Sequence, residues 1–303
     1  MLELLLRVLV NNILPAFVVI GVGFVLDRAL KPHIPTISRL ALYALSPCLG
    51  FTMLVNSELE SSQLTLVAGF AVAAALVMVV ISLLTARAAR LDRATGSSFT
   101  LASTMVNSGN FGLSVILFAY GEEGLQLAVI YFVTSAVLAN TIGAFIASRS
   151  NGSWLQSLRG VLRLPLIYAT LLAIIFRLIG YVPPQVIMRP LETIGQAAVP
   201  VLLLMLGMQL SRSQVQENLG VSALATVYKL VVMSLVAFGL AEVFGLTGLA
   251  RQVCIVESST PTAVTAVLLA TEFKSRPQIV ASTVMLSTLG AALTLTVVIA
   301  LLA

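Results

Sequence analysis

Asn107, Ser108, Gly109, Asn110 and Gly112 fall within six positions of the otherwise apolar stretch 105–121, MVNSGNFGLSVILFAYG. Hydrocarbon offers no water to amide or backbone groups, so such a cluster is costly where it faces lipid. Two glycines weaken a helix, and two amides can coordinate a solute. The stretch reads as a membrane helix broken at mid-depth. A second break, Glu257-Ser258-Ser259-Thr260-Pro261-Thr262, follows about 152 positions later. Two interrupted spans at matching places in two halves point to a carrier's binding site. Substrate contacts are therefore expected from Asn107, Gly109, Asn110, Gly112, Ser259, Thr260, Pro261 and Thr262. An unwound turn frees N–H groups on one half-helix, which suit an anion, and C=O groups on the other, which suit a cation.

Helical spacing aligns Ser103, Asn107, Asn110 and Ser114 on one face. A polar stripe of this kind can join a neighbouring helix through hydrogen bonds; the adjacent glycines favour solute contact. Glu257 and Lys229 are the ionisable side chains placed near mid-membrane. A carboxylate there costs about 2.5–3.5 kcal/mol on insertion scales and calls for a partner or a wet cavity. Glu257 is either one half of a structural ion pair or a proton or sodium site coupled to transport. Lys229, central in its span, cannot snorkel to either surface. It either attracts an anionic substrate or pairs with Glu257, and both readings stay open. Arg177, near a span end, reads as an interface anchor with a minor part in steering anions. Pro47 and Pro200 read as bends, and Gln209 is ambiguous. Cys48 and Cys254 lie in apolar runs without metal-binding or redox spacing and read as inert thiols. His33, between Pro32 and Pro35, belongs to a loop. No metal site and no cofactor is expected beyond coupling to Na+ or H+.

The elements that hold these residues follow from composition. The chain has 303 residues, of which 59% are hydrophobic and 10% charged; soluble domains carry roughly a quarter charged. Apolar runs long enough to cross about 30 Å of hydrocarbon recur throughout. The fold class is an all-α polytopic membrane protein. Ten spans are predicted, near 10–29, 37–55, 64–86, 97–120, 125–148, 161–181, 192–210, 219–241, 249–271 and 278–302. The net charge of +5 comes from loop residues that act as orientation signals, not from a nucleic-acid surface. Arg28, Lys31, Arg39, Arg87, Arg90, Arg93, Arg149, Arg159, Arg163, Arg212, Lys274 and Arg276 gather on alternate loops, against Arg7, Arg189 and Arg251 on the others. This bias places both termini on the non-cytoplasmic side of the inner membrane. The first apolar run carries no A-x-A-like cleavage site.

The halves 1–150 and 151–303 resemble each other. Leu14-Pro15 recurs as Leu164-Pro165, Ser46-Pro47 as Val199-Pro200, and the break in span four as that in span nine. Five spans per half is odd, so the second copy is inverted, a design that opens alternately to either side.

Asn107-x-x-Asn110-x-Gly112, Pro200 with Gly207, and the Ser/Thr-Pro261 break together resemble the auxin efflux carrier family, over essentially the whole chain. That family includes the plant PIN proteins and bacterial carboxylate or malonate permeases, and is related by fold to bile-acid/sodium symporters and sodium/proton antiporters. The resemblance implies ten helices in two inverted five-helix repeats, with broken helices four and nine crossing at the substrate site. It departs in two places. Plant members carry a proline at the span-four crossing where this chain has Ser108-Gly109, and Glu257 is similar to the sodium-site acids of bile-acid symporters.

The expected function is secondary transport of a small organic anion, carboxylate or auxin-like, by alternating access. The alternatives are a sodium- or proton-coupled symporter of the bile-acid type and a receptor built on a transporter fold. A channel would need a continuous polar path. An enzyme would need a nucleophile or metal set, and none stands in the sequence. The partners expected are the anion and membrane lipid, with a homodimer as one admissible assembly.

Overall fold

The computed structural model describes residues 2–57, 59–143, 145–146, 164–213 and 218–303. Among these every regular element is helical, and seven helices are long and apolar enough to cross a membrane. The proposed division at 150/151, with Arg149, Arg159 and Arg163, lies outside the described residues.

The chain runs through α1 (Leu2–Leu30), α2 (Ile34–Val55), α3 (Ser61–Ala88) and α4 (Arg93–Thr104). A continuous-looking segment, Ser108–Gly143, follows. Gly121 divides it, with φ 65° and ψ −160°, a region in which side chains clash. We therefore name α5 (108–120) and α6 (122–143). Next come α7 (Pro165–Leu178), α8 (Gln185–Gln196) and α9 (Ala198–Arg212). The last elements are α10 (Leu219–Val243), α11 (Gly248–Ser258), α12 (Thr265–Glu272) and α13 (Pro277–Leu302).

Prolines shape the first two helices. The turns before Pro15 and Pro47, Leu9–Ile13 and Ala41–Leu45, are widened to π-helix. A proline ring collides with the carbonyl four residues back, and a wider turn moves that carbonyl aside. Near Pro200 the helix yields instead at Ala197, which separates α8 from α9.

Two packing groups result. In one, α9 lies along α1, and α7 and α8 lie along α2. Gly23 and Gly207 let the α1 and α9 backbones touch: a Cβ on Gly207 would come 2.8 Å from the Phe24 nitrogen, and one on Gly23 2.9 Å from Leu204 Cα. At one end of this pair Asp27 accepts from Arg212 Nη2 at 2.7 Å and from Ser211 Oγ, and Arg212 Nη2 also reaches the Pro32 carbonyl at 2.8 Å. In the other group α3 packs on α4 and on the 113–138 stretch of α5 and α6, α10 and α4 on α13, and α11 on α10 and, through Tyr131 and Ser258, on α6. An Asp92–Arg276 ion pair of 3.5 Å ties the start of α4 to the start of α13. Asp92 also caps α4, accepting from the backbone N–H of Ala94 and Thr95 at 3.1 Å, donors that a helix start leaves free.

Candidate functional site: two interrupted helices and a cavity

Both interruptions expected from the sequence are present. The helix ends at Thr104 and resumes at Ser108; the second ends at Ser258 and resumes at Thr265. The extended pieces between run antiparallel, pairing Val106 with Thr262. Asn107 N–H donates to the Pro261 carbonyl at 2.9 Å, and Ala263 N–H to the Met105 carbonyl at 3.0 Å. Thr262 N–H donates to Ser287 Oγ at 3.1 Å, and its hydroxyl to the Ala102 carbonyl at 2.6 Å. Ala102 lies in the last turn of α4, where carbonyls lack helical partners. Each interruption thus supplies the hydrogen bonds the other lost, which non-helical backbone inside a membrane requires.

The first interruption borders a cavity of about 320 Å³. Asn107, Ser108, Gly109 and Asn110 form one wall, with Ala263, Val264 and Thr265 beside them. The opposite wall is apolar apart from Ser46: Leu42 of α2, Leu164, Leu166 of α7 and Leu202 of α9. The cavity reaches Leu164 at the start of α7 and Glu272 at the end of α12. Two helices, α5 and α12, begin at this cavity and present their N-terminal N–H groups, the positive end of the helix dipole. Asn107 is 4% exposed, and its Nδ2 has no hydrogen-bond partner. Ser46 Oγ is likewise buried without one. Glu272 is the one ionisable residue among the described lining.

Glu257 and Lys229 stand apart from this cavity. Both are fully buried. The Glu257 carboxyl lies against Gly112, where a Cβ would come 2.7 Å from its Cδ; Gly112 thus makes room for the acid. Neither carboxyl oxygen has a hydrogen-bond partner. Lys229 sits on a π-turn, Tyr228–Val232, within α10, and its Nζ donates to the Ser258 carbonyl at 2.8 Å. That carbonyl closes α11, the negative end of its dipole, where a cation is favoured. Lys229 and Glu257 make no ion pair with one another among the described contacts.

Of the residues singled out from sequence, Asn107, Gly109 and Asn110 line the cavity, and Gly112 faces Glu257. Ser259, Thr260, Pro261 and Thr262 are turned to the frame. Ser259 Oγ donates to the Ile255 carbonyl and Thr260 Oγ1 to the Glu257 carbonyl, both at 2.7 Å. Ser103 leaves the supposed stripe and shares a hydrogen bond of 2.9 Å with Ser82 of α3. Sequence reasoning missed Ser46, Asn140, Thr265 and Glu272 as wall residues, and Tyr131 as the partner of Ser258. A hydroxyl next to Pro47 and an amide in an apolar run were the available signals.

The family model described as membrane transport protein matches residues 8–157 and 153–299. An uncharacterized transporter of Methanothermobacter thermautotrophicus is 28% identical over 289 residues, 95% of this chain and 92% of that one. An uncharacterized transporter of Methanocaldococcus jannaschii is 27% identical over 192 residues, 62% of each chain. Interrupted helices around a cavity fit that likeness, and the chain belongs to the membrane transport protein family, in keeping with the resemblance of its motifs to the auxin efflux carriers.

Proposed function

We propose that the chain is a secondary carrier of a small organic anion working by alternating access. One observation carries this reading. Two helix N-termini and the unpartnered, buried Asn107 amide meet at a cavity of about 320 Å³, a size within the usual range for small-molecule sites. The anion's carboxylate would be held by N–H groups of α5 and α12 and by Asn107, with its apolar body against Leu42, Leu166 and Leu202. No basic side chain is needed, since oriented N–H dipoles favour an anion where water is excluded.

In this reading α4 with α5, and α11 with α12, each form one discontinuous span, crossing at 105–107 and 259–264. Together with the other helices they make ten spans in two inverted repeats. Loop charge favours both termini outside the cytoplasm. Glu257, a buried acid with both oxygens unpartnered, favours coupling to H+ or Na+ as in a bile-acid-type symporter.

The test is uptake into proteoliposomes of radiolabelled mono- and dicarboxylates and indole acids, with and without pH and sodium gradients. Saturable uptake of at least one acid, lost in Asn107→Ala, is expected. Uptake of none, or uptake indifferent to Asn107→Ala, would overturn the reading.

A further inference from the structure

One helix runs along the large cavity and gives it a direction. Thr265, Leu268, Leu269 and Glu272 of α12 all line it, and residues three and four apart share one face of a helix. Ala266 and Ala270, on the other face, are fully buried. From Thr265 to Glu272 the stripe covers about 10 Å, at 1.5 Å of rise per residue. It passes from a hydroxyl through two leucines to a carboxylate.

The two ends differ in sign. At Thr265 the helix begins, and its free N–H groups share the cavity with the unpartnered Asn107 amide. That end favours an anion. At Glu272 the helix ends; its last carbonyls are the negative end of the dipole, and the carboxylate adds a full charge of the same sign. Helix stability does not account for this acid, because a negative side chain in a last turn opposes the dipole. Glu272 is exposed and makes no ion pair, with Lys274 or any other basic residue, among the described contacts. No lysine or arginine in the described wall offsets it.

We propose that Glu272 sets the charge of the cargo: one anionic group at the Thr265 end and an uncharged tail toward the other. An acid whose second carboxylate reaches Glu272 is refused. The inference rests on the anion-carrier reading of this cavity. It narrows the substrate class to monocarboxylates, and to diacids short enough to keep both carboxylates beside the helix starts. An uncompensated like charge is how a site rejects a near-twin of its ligand, whereas a neutral tail of the same shape meets Leu268 and Leu269. The plainer alternative is a solvated helix-end acid with no part in binding.

Calorimetric titration of the purified full chain separates the two. Malonate, glutarate and suberate are each set against their own monoamide, which matches the diacid in shape and lacks its second charge. At low salt the wild type is expected to bind the suberate monoamide at least about tenfold tighter than suberate. That preference should fade with added salt and vanish for malonate, whose carboxylates both stay at the Thr265 end. Glu272→Gln should bring the suberate pair together by tightening the diacid and leaving the monoamide where it was. Its melting temperature should hold or rise, since an acid has left a helix C-terminus. A suberate preference that survives Glu272→Gln, an equal loss of affinity for both members, or no preference in the wild type overturns the inference and leaves the anion reading standing. Binding of none of the six, with no saturable uptake of any acid by proteoliposomes, would refute the anion reading and this inference with it.

Discussion

The two interruptions occupy matching places in the chain yet differ in chemistry. The first, at 105–107, leads into the glycine- and asparagine-bearing π-turn Ser108–Gly112 and leaves the Asn107 Nδ2 without a partner beside a cavity. The second, at 259–264, is built from proline and hydroxyls, and its hydroxyls are all bonded: Ser259 to Ile255, Thr260 to Glu257, and Thr262 across to Ala102 of α4. Pro261 brings no N–H to satisfy, and its carbonyl serves Asn107. One interruption leaves a buried donor unpaired, and the other has every hydroxyl paired. An unsatisfied donor in a buried place costs about 1–3 kcal/mol; a closed one stabilises. The first reads as the site and the second as the frame that holds it open.

Four changes would break or sharpen that contrast. The largest effect is expected at the pair behind the frame. Lys229→Met removes the charged donor to the Ser258 carbonyl and the one buried lysine beside Glu257 among the described residues, a loss of about 3 kcal/mol. Adding Glu257→Gln should return much of it, read as a thermal-melting double-mutant cycle; purely additive losses would show that the two do not communicate. Asn107→Ala should reduce uptake by at least about tenfold, equivalent to about 1.4 kcal/mol. It should leave the melting temperature unchanged or higher, because it deletes a donor that has no partner. Matching losses of uptake and stability would make Asn107 part of the frame. Thr262→Val should do the opposite, costing about 1–3 kcal/mol of stability by stranding the Ala102 carbonyl, with uptake per folded molecule preserved. The smallest effect concerns Asp92, whose Thr95 bonds, outweighing its burial and aided by Arg276, hold its carboxyl below the usual carboxylate range. Because the folded value is depressed, its contribution is complete above the ordinary value of about 3.9 and fades as pH falls through the lower, folded one. Asp92→Ala should cost about 1 kcal/mol by loss of the cap and flatten that acid limb of a melting-temperature-versus-pH curve.

Much of this contrast was legible in the sequence, and its limits are physical. Glycine, asparagine and proline inside apolar runs announce where a helix must stop, and both stops were found. What those side chains then face was not legible. The stripe from Ser103 to Ser114 assumed one continuous helix; the stop at Thr104 and the π-turn Ser108–Gly112 break that register, and Ser103 turns to α3. Lys229 announced itself as a charge in mid-membrane. Its partner is a backbone carbonyl, which no side-chain pattern can reveal. Tyr131 in an apolar run resembles any aromatic core residue until Ser258 is seen opposite. The far wall, with Ser46 and Leu202, depends on how α2 and α9 meet the interruptions, a matter of tertiary packing. The Gly23–Gly207 contact likewise emerges only once α1 and α9 are laid together.

The described wall of the large cavity contains no lysine or arginine. A carboxylate seated there by helix ends and one amide would keep its full negative charge while the carrier turns over. Its passage would then be driven by voltage as well as by concentration, at about 2.3 kcal/mol per charge for each 100 mV. In a cell negative inside, that force points outward; one co-imported monovalent cation would cancel it, and only a second would reverse it. Anion flux that ignores a potassium-diffusion potential imposed with valinomycin would contradict this consequence.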